Sequence, residues 1–276
     1  MISAFRTPMI FFIYTRQELM DQLYSVYMEV VTQASKIKEK ARVVAMDLRG
    51  HGKSTTANDT DLSIETMCND VLAVVKAMYG NSLPAIVLVG RSMGGSVAVH
   101  IAAKKALSSS AGLVVVDVVE GTALASLVHM QKILSGRVQR FSSIEKAIES
   151  SVRGGSLRNI ESGRVSIPST LKYDDSKKCY IYRAQLEETE QYWKSWYLDK
   201  LLYLRVSDSF GTSITLTIGQ MQGKFQMVVV RHTGHAIQED VPDEFATLVT
   251  NFVSRNRIGP RGVEIPGLRR PCQSKS

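Results

Sequence analysis

Ile86-Val87-Leu88-Val89-Gly90-Arg91-Ser92-Met93-Gly94-Gly95 is the stretch on which the reading of this chain turns. Four consecutive apolar residues fit a strand buried on both faces, as in a parallel sheet. Val97 to Leu107 then reads as a helix, so Gly90-Arg91-Ser92-Met93-Gly94 falls on a strand-to-helix turn. A serine there needs strained backbone angles. Glycines on either side remove side chains that would collide, and the following helix points its amide dipoles at developing negative charge. The pattern therefore makes Ser92 a candidate nucleophile and the Met93 N–H a candidate oxyanion donor.

Working outward, other apolar runs repeat the strand pattern: Arg42 to Asp47, Gly112 to Asp117, Leu201 to Leu204 and Met227 to Val230. Between the first run and Ile86, the positions Ile64, Met67, Val71, Val74, Val75 and Met78 follow a helical period. Ser63 is placed to cap this helix and Gly80 to stop it. Pro242 and Asp243 open a last helix with Phe245, Leu248, Val249, Phe252 and Val253 on one face. Strands alternating with helices give an α/β fold, and the serine turn makes it an α/β-hydrolase fold: a mostly parallel sheet, flanking helices and an inserted helical cap.

The 276 residues suit one such domain. Residues of about 122–199 break the alternation and read as the cap, where Trp193 and Trp196 stand at helical spacing and are expected to pack. Residues 1–40 look different. Thr15 and Glu18 form a capping box before Leu19, Leu23, Val26, Tyr27, Val30 and Ala34, which predicts one long helix, and no convincing strand precedes Arg42. The N-terminal part of the sheet is thus expected to be incomplete. Residues 255–276 carry five arginines and Lys275 against Glu264 alone and read as a flexible basic tail, the source of much of the net charge of +8.

That charge is not accompanied by an aromatic-interleaved basic patch, so nucleic acid is not an expected partner. Cys68, Cys179 and Cys272 have no metal-ligand or disulfide spacing, which fits a reducing intracellular compartment, cytoplasmic or nuclear. The apolar run Met9 to Tyr14 is too short and wrongly flanked for a signal peptide, and no stretch has the length of a membrane span.

A serine hydroxyl needs a base. His235, after the last apolar run and before the last helix, is where this fold carries it. His232 reads as a surface residue, His51 as structural, and His100 and His129 as bland. Two aspartates compete to orient the imidazole: Asp117 after the Gly112 run and Asp208 after the Leu201 run. Position alone favours Asp208, since many hydrolases of this fold carry the acid after the corresponding strand, and spacing does not settle the choice.

From Ala41 onward the chain resembles the protein phosphatase methylesterases. The resemblance rests on Asp47-Leu48-Arg49, Gly90 to Gly95, Val116-Asp117-Val118-Val119-Glu120-Gly121-Thr122-Ala123, Leu216 to Met227 and Gly234-His235-Ala236. It implies removal of a methyl ester from the C-terminal leucine of the type 2A protein phosphatase catalytic subunit, with no cofactor or metal. It also implies a triad of Ser92, Asp117 and His235. Two departures stand out. The family's His-Gly-Gly-Gly loop, whose backbone donors complete the oxyanion hole, is missing from residues 1–40, and Arg205 to Gly211 replaces the family's Ala-Gly-x-Asp segment. The alternatives are a catalytically impaired phosphatase-binding form or another carboxylester hydrolase of the same fold.

Overall fold

The computed structural model describes residues 9–14, 41–52, 54–117, 136–184, 186–197 and 226–258. Four parallel strands, β1 (Met9–Tyr14), β2 (Arg42–Asp47), β3 (Ile86–Arg91) and β4 (Ser110–Val116), form the main sheet in the order β2-β1-β3-β4.

The presence of β1 corrects the expectation that no strand precedes Arg42. Met9-Ile10-Phe11-Phe12-Ile13 pairs residue for residue with β2 on one side and β3 on the other. Its alternating side chains divide between two cores. Met9, Phe11 and Ile13 pack with Ile86, Leu88 and two flanking helices, while Ile10 and Phe12 pack with Val87, Val89 and the C-terminal helix. Each large apolar side chain so buried contributes about 1.5–3 kcal/mol. The run that resembles nothing in isolation is held by partners on both sides and both faces.

Helix α1 (Ile64–Tyr79) buries Ile64, Met67, Cys68, Val71 and Val75 and stops at Gly80, whose φ of 57° suits glycine. Ser63 stands at its N-cap position, but its hydroxyl donates to Thr66 Oγ1 instead of accepting a backbone N–H. Arg49, in the loop after β2, grips Asp70 of α1 through Nε and Nη2 at 2.6 and 2.7 Å. Helix α2 (Met93–Ala103) follows the serine turn, four residues earlier than its expected span, and lies on the same face as α1.

Between β4 and the last helices, the cap is mixed where a helical one was expected. Strand β5 (Arg140–Phe141), helices α3 (Ile144–Arg153) and α4 (Ile160–Thr170), and strands β6 (Leu171–Asp174) and β7 (Cys179–Tyr182) enclose their own core. The strands form an antiparallel sheet in the order β5-β7-β6, and Phe141 meets Tyr182 edge-on at 5.5 Å. Helix α5 (Glu190–Tyr197) returns to the main core. Trp193 and Trp196 are buried there, with their indole N–H groups donating to Thr189 Oγ1 and to the Leu62 carbonyl. They pack, as expected.

Two further helices close the chain: the short α6 (Ile237–Asp240) and α7 (Pro242–Arg255), which begins at the expected proline. Met227 to Val230 forms no strand among the described residues, contrary to expectation. Met227, Val228 and Val229 are exposed, so apolar composition there is not matched by burial. The Leu201 run, the expected N-terminal helix and residues 259–276 of the basic tail lie outside the described residues, while Arg255, the expected start of that tail, ends α7. Among the described residues no helix is long and apolar enough to cross a membrane.

Candidate active site

The turn after β3 is shaped by what it excludes. A Cβ on Gly90 would run into the Gly94 carbonyl, and one on Gly94 would run into the carbonyl of Ile13 in β1. Both glycines are therefore required for helix α2 to start this close to the sheet. Between them Ser92 takes φ 50° and ψ −123°, a conformation that costs an L-residue about 1–3 kcal/mol and persists only where the surroundings enforce it. Its N–H donates to Val116 O at 3.1 Å and its carbonyl accepts from Ser96 N at 3.1 Å. The side chain is left at the C-terminal edge of the sheet. As the first residue of α2, Met93 has an N–H without a partner inside the helix.

Asp117 follows from the same sheet geometry. Arg91 and Val116 are register partners, so Ser92 and Asp117 are each the first residue beyond neighbouring parallel strands. Asp117 also has φ 50°, which turns the chain as β4 ends. Its Oδ2 contacts Nδ1 of His235. The carboxylate can only accept there, so Nδ1 carries the proton and Nε2 keeps its lone pair, the tautomer a general base needs. Both side chains remain 40–48% exposed, within reach of an incoming ester. No hydrogen bond joins Ser92 Oγ to His235 among the described residues, and such contacts often tighten only when substrate binds.

His235 sits on a loop without regular structure, and three successive residues of that loop are held by three different elements. Gly234 N donates to Asp240 Oδ2 of α6, the His235 carbonyl accepts from Arg91 Nη1 at 3.3 Å, and Ala236 N donates to Ser156 O of the cap at 3.3 Å. Arg91, Ser156 and Asp240 were missed in the sequence. Arg91 and Asp240 reach main-chain groups of the loop with their side chains and Ser156 with its carbonyl, and no spacing or periodicity marks such a role.

The remaining candidates separate cleanly. His51 is buried with Nδ1 donating to the Arg49 carbonyl at 2.8 Å, and burial holds its pKa below the ordinary histidine range. His100 is buried inside α2 against Ser96 O, and His232 is exposed. Asp208 and His129 lie outside the described residues. No group of three or more side chains suited to a metal ion occurs among the described residues.

A four-stranded parallel sheet flanked by helices, with a serine at the tight turn after one strand and an aspartate and histidine meeting beside it, has the architecture of an α/β-hydrolase. The model of the alpha/beta hydrolase family matches residues 28–248. Solved structures agree on the fold alone. They include E-2-(acetamidomethylene)succinate hydrolase (TM-score 0.65, 19% identity, 90% of this chain and 91% of that one) and a Mycobacterium tuberculosis esterase (TM-score 0.62, 18% identity, 90% and 86%). Curated relatives are far more similar in sequence. Protein phosphatase methylesterase 1 of Mus musculus is 41% identical over 83% of this chain and 72% of its own length, and the Homo sapiens protein 40% over the same shares. A probable protein phosphatase methylesterase 1 of Caenorhabditis elegans is 42% identical over 79% of this chain and 62% of its own length. The chain belongs to the protein phosphatase methylesterase family of α/β-hydrolases.

Proposed function

We propose that this chain removes the methyl ester from the C-terminal leucine of the type 2A protein phosphatase catalytic subunit, inside the cell, by acyl transfer through Ser92, His235 and Asp117. The observation that carries the reading is the Asp117–His235 contact beside the strained Ser92 turn, together with relatives named for phosphatase methyl-ester hydrolysis.

In this mechanism His235 Nε2 takes the Ser92 hydroxyl proton as Oγ attacks the ester carbonyl. The Met93 N–H binds the oxyanion. His235 then passes the proton to the departing methoxide, and methanol leaves. Water, deprotonated by the same imidazole, hydrolyses the acyl-enzyme and restores Ser92. Asp117 keeps the imidazole in the required tautomer and stabilises its charged form.

A second reading, a phosphatase-binding form with impaired catalysis, is favoured by one observation. Strand β1 occupies the sheet position next to the serine turn, with the Ile13 carbonyl against Gly94, and the residues that follow it are Thr15-Arg16-Gln17 with no glycine. A missing oxyanion donor lowers kcat by about 10²–10³.

The deciding measurement is methanol release from carboxymethylated type 2A phosphatase catalytic subunit by the native chain and by Ser92→Ala. Release by the native chain alone supports the methylesterase. Binding without release supports the impaired form. Hydrolysis of small esters without either points to another carboxylester hydrolase.

A further inference from the structure

The loop that carries His235 has no secondary structure to place it, and one side chain reaches from it to the cap. Asp240, the last residue of α6, accepts the Gly234 N–H on Oδ2 and the N–H groups of Arg158 and Asn159 on Oδ1, the latter two at 2.7 and 2.9 Å. Three backbone donors from two distant segments converge on one carboxylate. Hydrogen bonds to an ionised acceptor are roughly twice as strong as neutral ones.

The surroundings reinforce the same join. Asn159 caps α4 by accepting from Glu161 N and Ser162 N, and donates from Nδ2 to the Glu239 carbonyl at 3.2 Å. Ser162 Oγ donates to that carbonyl at 2.7 Å. Gly234 lies so close to the cap that a Cβ would stand 2.6 Å from Gly155 O and 2.8 Å from Ser156 O.

We propose that Asp240 is a positioning residue for the hydrolytic reaction, fixing the His235 loop to Arg158 and the N-cap residue Asn159 of α4 so that the imidazole faces Ser92. The proposal rests on the reading of His235 as general base. Asp240 touches neither substrate nor reacting atoms. Its effect passes through Gly234 to the next residue, and a displacement of about 1 Å at a catalytic group lowers rates by as much as about 10²-fold.

The test uses the full chain with Asp240→Ala and Asp240→Asn. The amide keeps the shape but only one acceptor oxygen, so either Gly234 or the cap amides lose their partner. Phe141→Leu, in the cap core where β5 meets Tyr182 of β7, serves as a control for lowered stability. Hydrolysis of a p-nitrophenyl ester and labelling of Ser92 by a fluorophosphonate are measured alongside the His235 imidazole proton resonance, assigned by its loss in His235→Ala.

Asp240→Ala is expected to lower kcat by about 10- to 100-fold with KM little changed, Asp240→Asn by less, and both to move the His235 resonance. The control keeps native kcat and resonance. A folded Asp240→Ala chain with native kcat and an unmoved resonance overturns the proposal, as does an equal loss of kcat in the control. Failure of the underlying reading looks different: His235→Ala would then be labelled as fast as the native chain, while the resonance still reports whether Asp240 places the ring.

Discussion

Asp117 and His235 are separated by 118 positions in the chain, yet the carboxylate of one meets Nδ1 of the other at the C-terminal edge of the sheet. That contact bears on the competition between Asp117 and Asp208. If Asp117 orients the imidazole, Asp117→Asn presents an amide that favours the wrong tautomer and lowers kcat by about 10³–10⁴. Asp208→Asn then retains native kcat. Steady-state hydrolysis of the methylated phosphatase subunit, or of a small ester, checks both, and equal loss in the two variants would reassign the acid.

The serine turn makes a steric prediction independent of any substrate. Gly94→Ala places a methyl group against the Ile13 carbonyl, a backbone atom that moves only if β1 or the start of α2 moves. Overpacking of this kind destabilises by about 1–3 kcal/mol. The shift also carries the Met93 amide away from the oxyanion site. Urea unfolding reports the first effect and labelling of Ser92 the second, and a variant with native stability and native labelling would contradict the close approach.

Local pattern and long-range pairing explain what was legible. The β3 turn, α1, the last helix and the packing of Trp193 and Trp196 were visible because strand and helix periods, glycines and prolines act within a few residues. Strand β1 was missed for the opposite reason. Met9 to Tyr14 is an apolar run like those read as strands, but the capping box of Thr15 and Glu18 directly after it points to a helical N-terminus, and what fixes it is pairing with β2 and β3, whose registers are not written locally. Val228 and Val229 mislead in the other direction, since β-branched residues favour strands only where neighbours cover them. In the candidate site, Ser92 and His235 are legible from motif and position, whereas only the family resemblance prefers Asp117 to Asp208. Arg91 and Asp240 hold the His235 loop by side chains that bond its main-chain groups, and Ser156 does so by its carbonyl; which residue meets which backbone group is set by the fold and not by sequence spacing.

If β1 is a central strand, truncating one of its side chains must be felt in the core that side chain enters. Phe11 is fully buried and packs with α1 and α2. Phe11→Ala is expected to destabilise the chain by about 3–5 kcal/mol, lowering the urea midpoint and, through the Ile13 contact with Gly94, slowing fluorophosphonate labelling. A change within experimental error in both would mean that the N-terminal run does not occupy the sheet.

His51 adds a pH dependence that belongs to stability and not to catalysis. It is buried, donates from Nδ1 to the Arg49 carbonyl, and burial lowers its pKa from the ordinary value of 6.5. In the unfolded chain the ring protonates as pH falls through that value, while in the folded chain it protonates only at lower pH. The unfolded state therefore binds more protons below about pH 6.5, and stability is complete above it and declines as pH falls. One proton gives a slope of at most about 1.4 kcal/mol per pH unit. Urea unfolding of the native chain and His51→Gln at pH 7.5 and 5.5 isolates the contribution: the variant, though less stable at the higher pH, should lose less on acidification. A native chain whose decline matches that of the variant would place the responsible proton on another group.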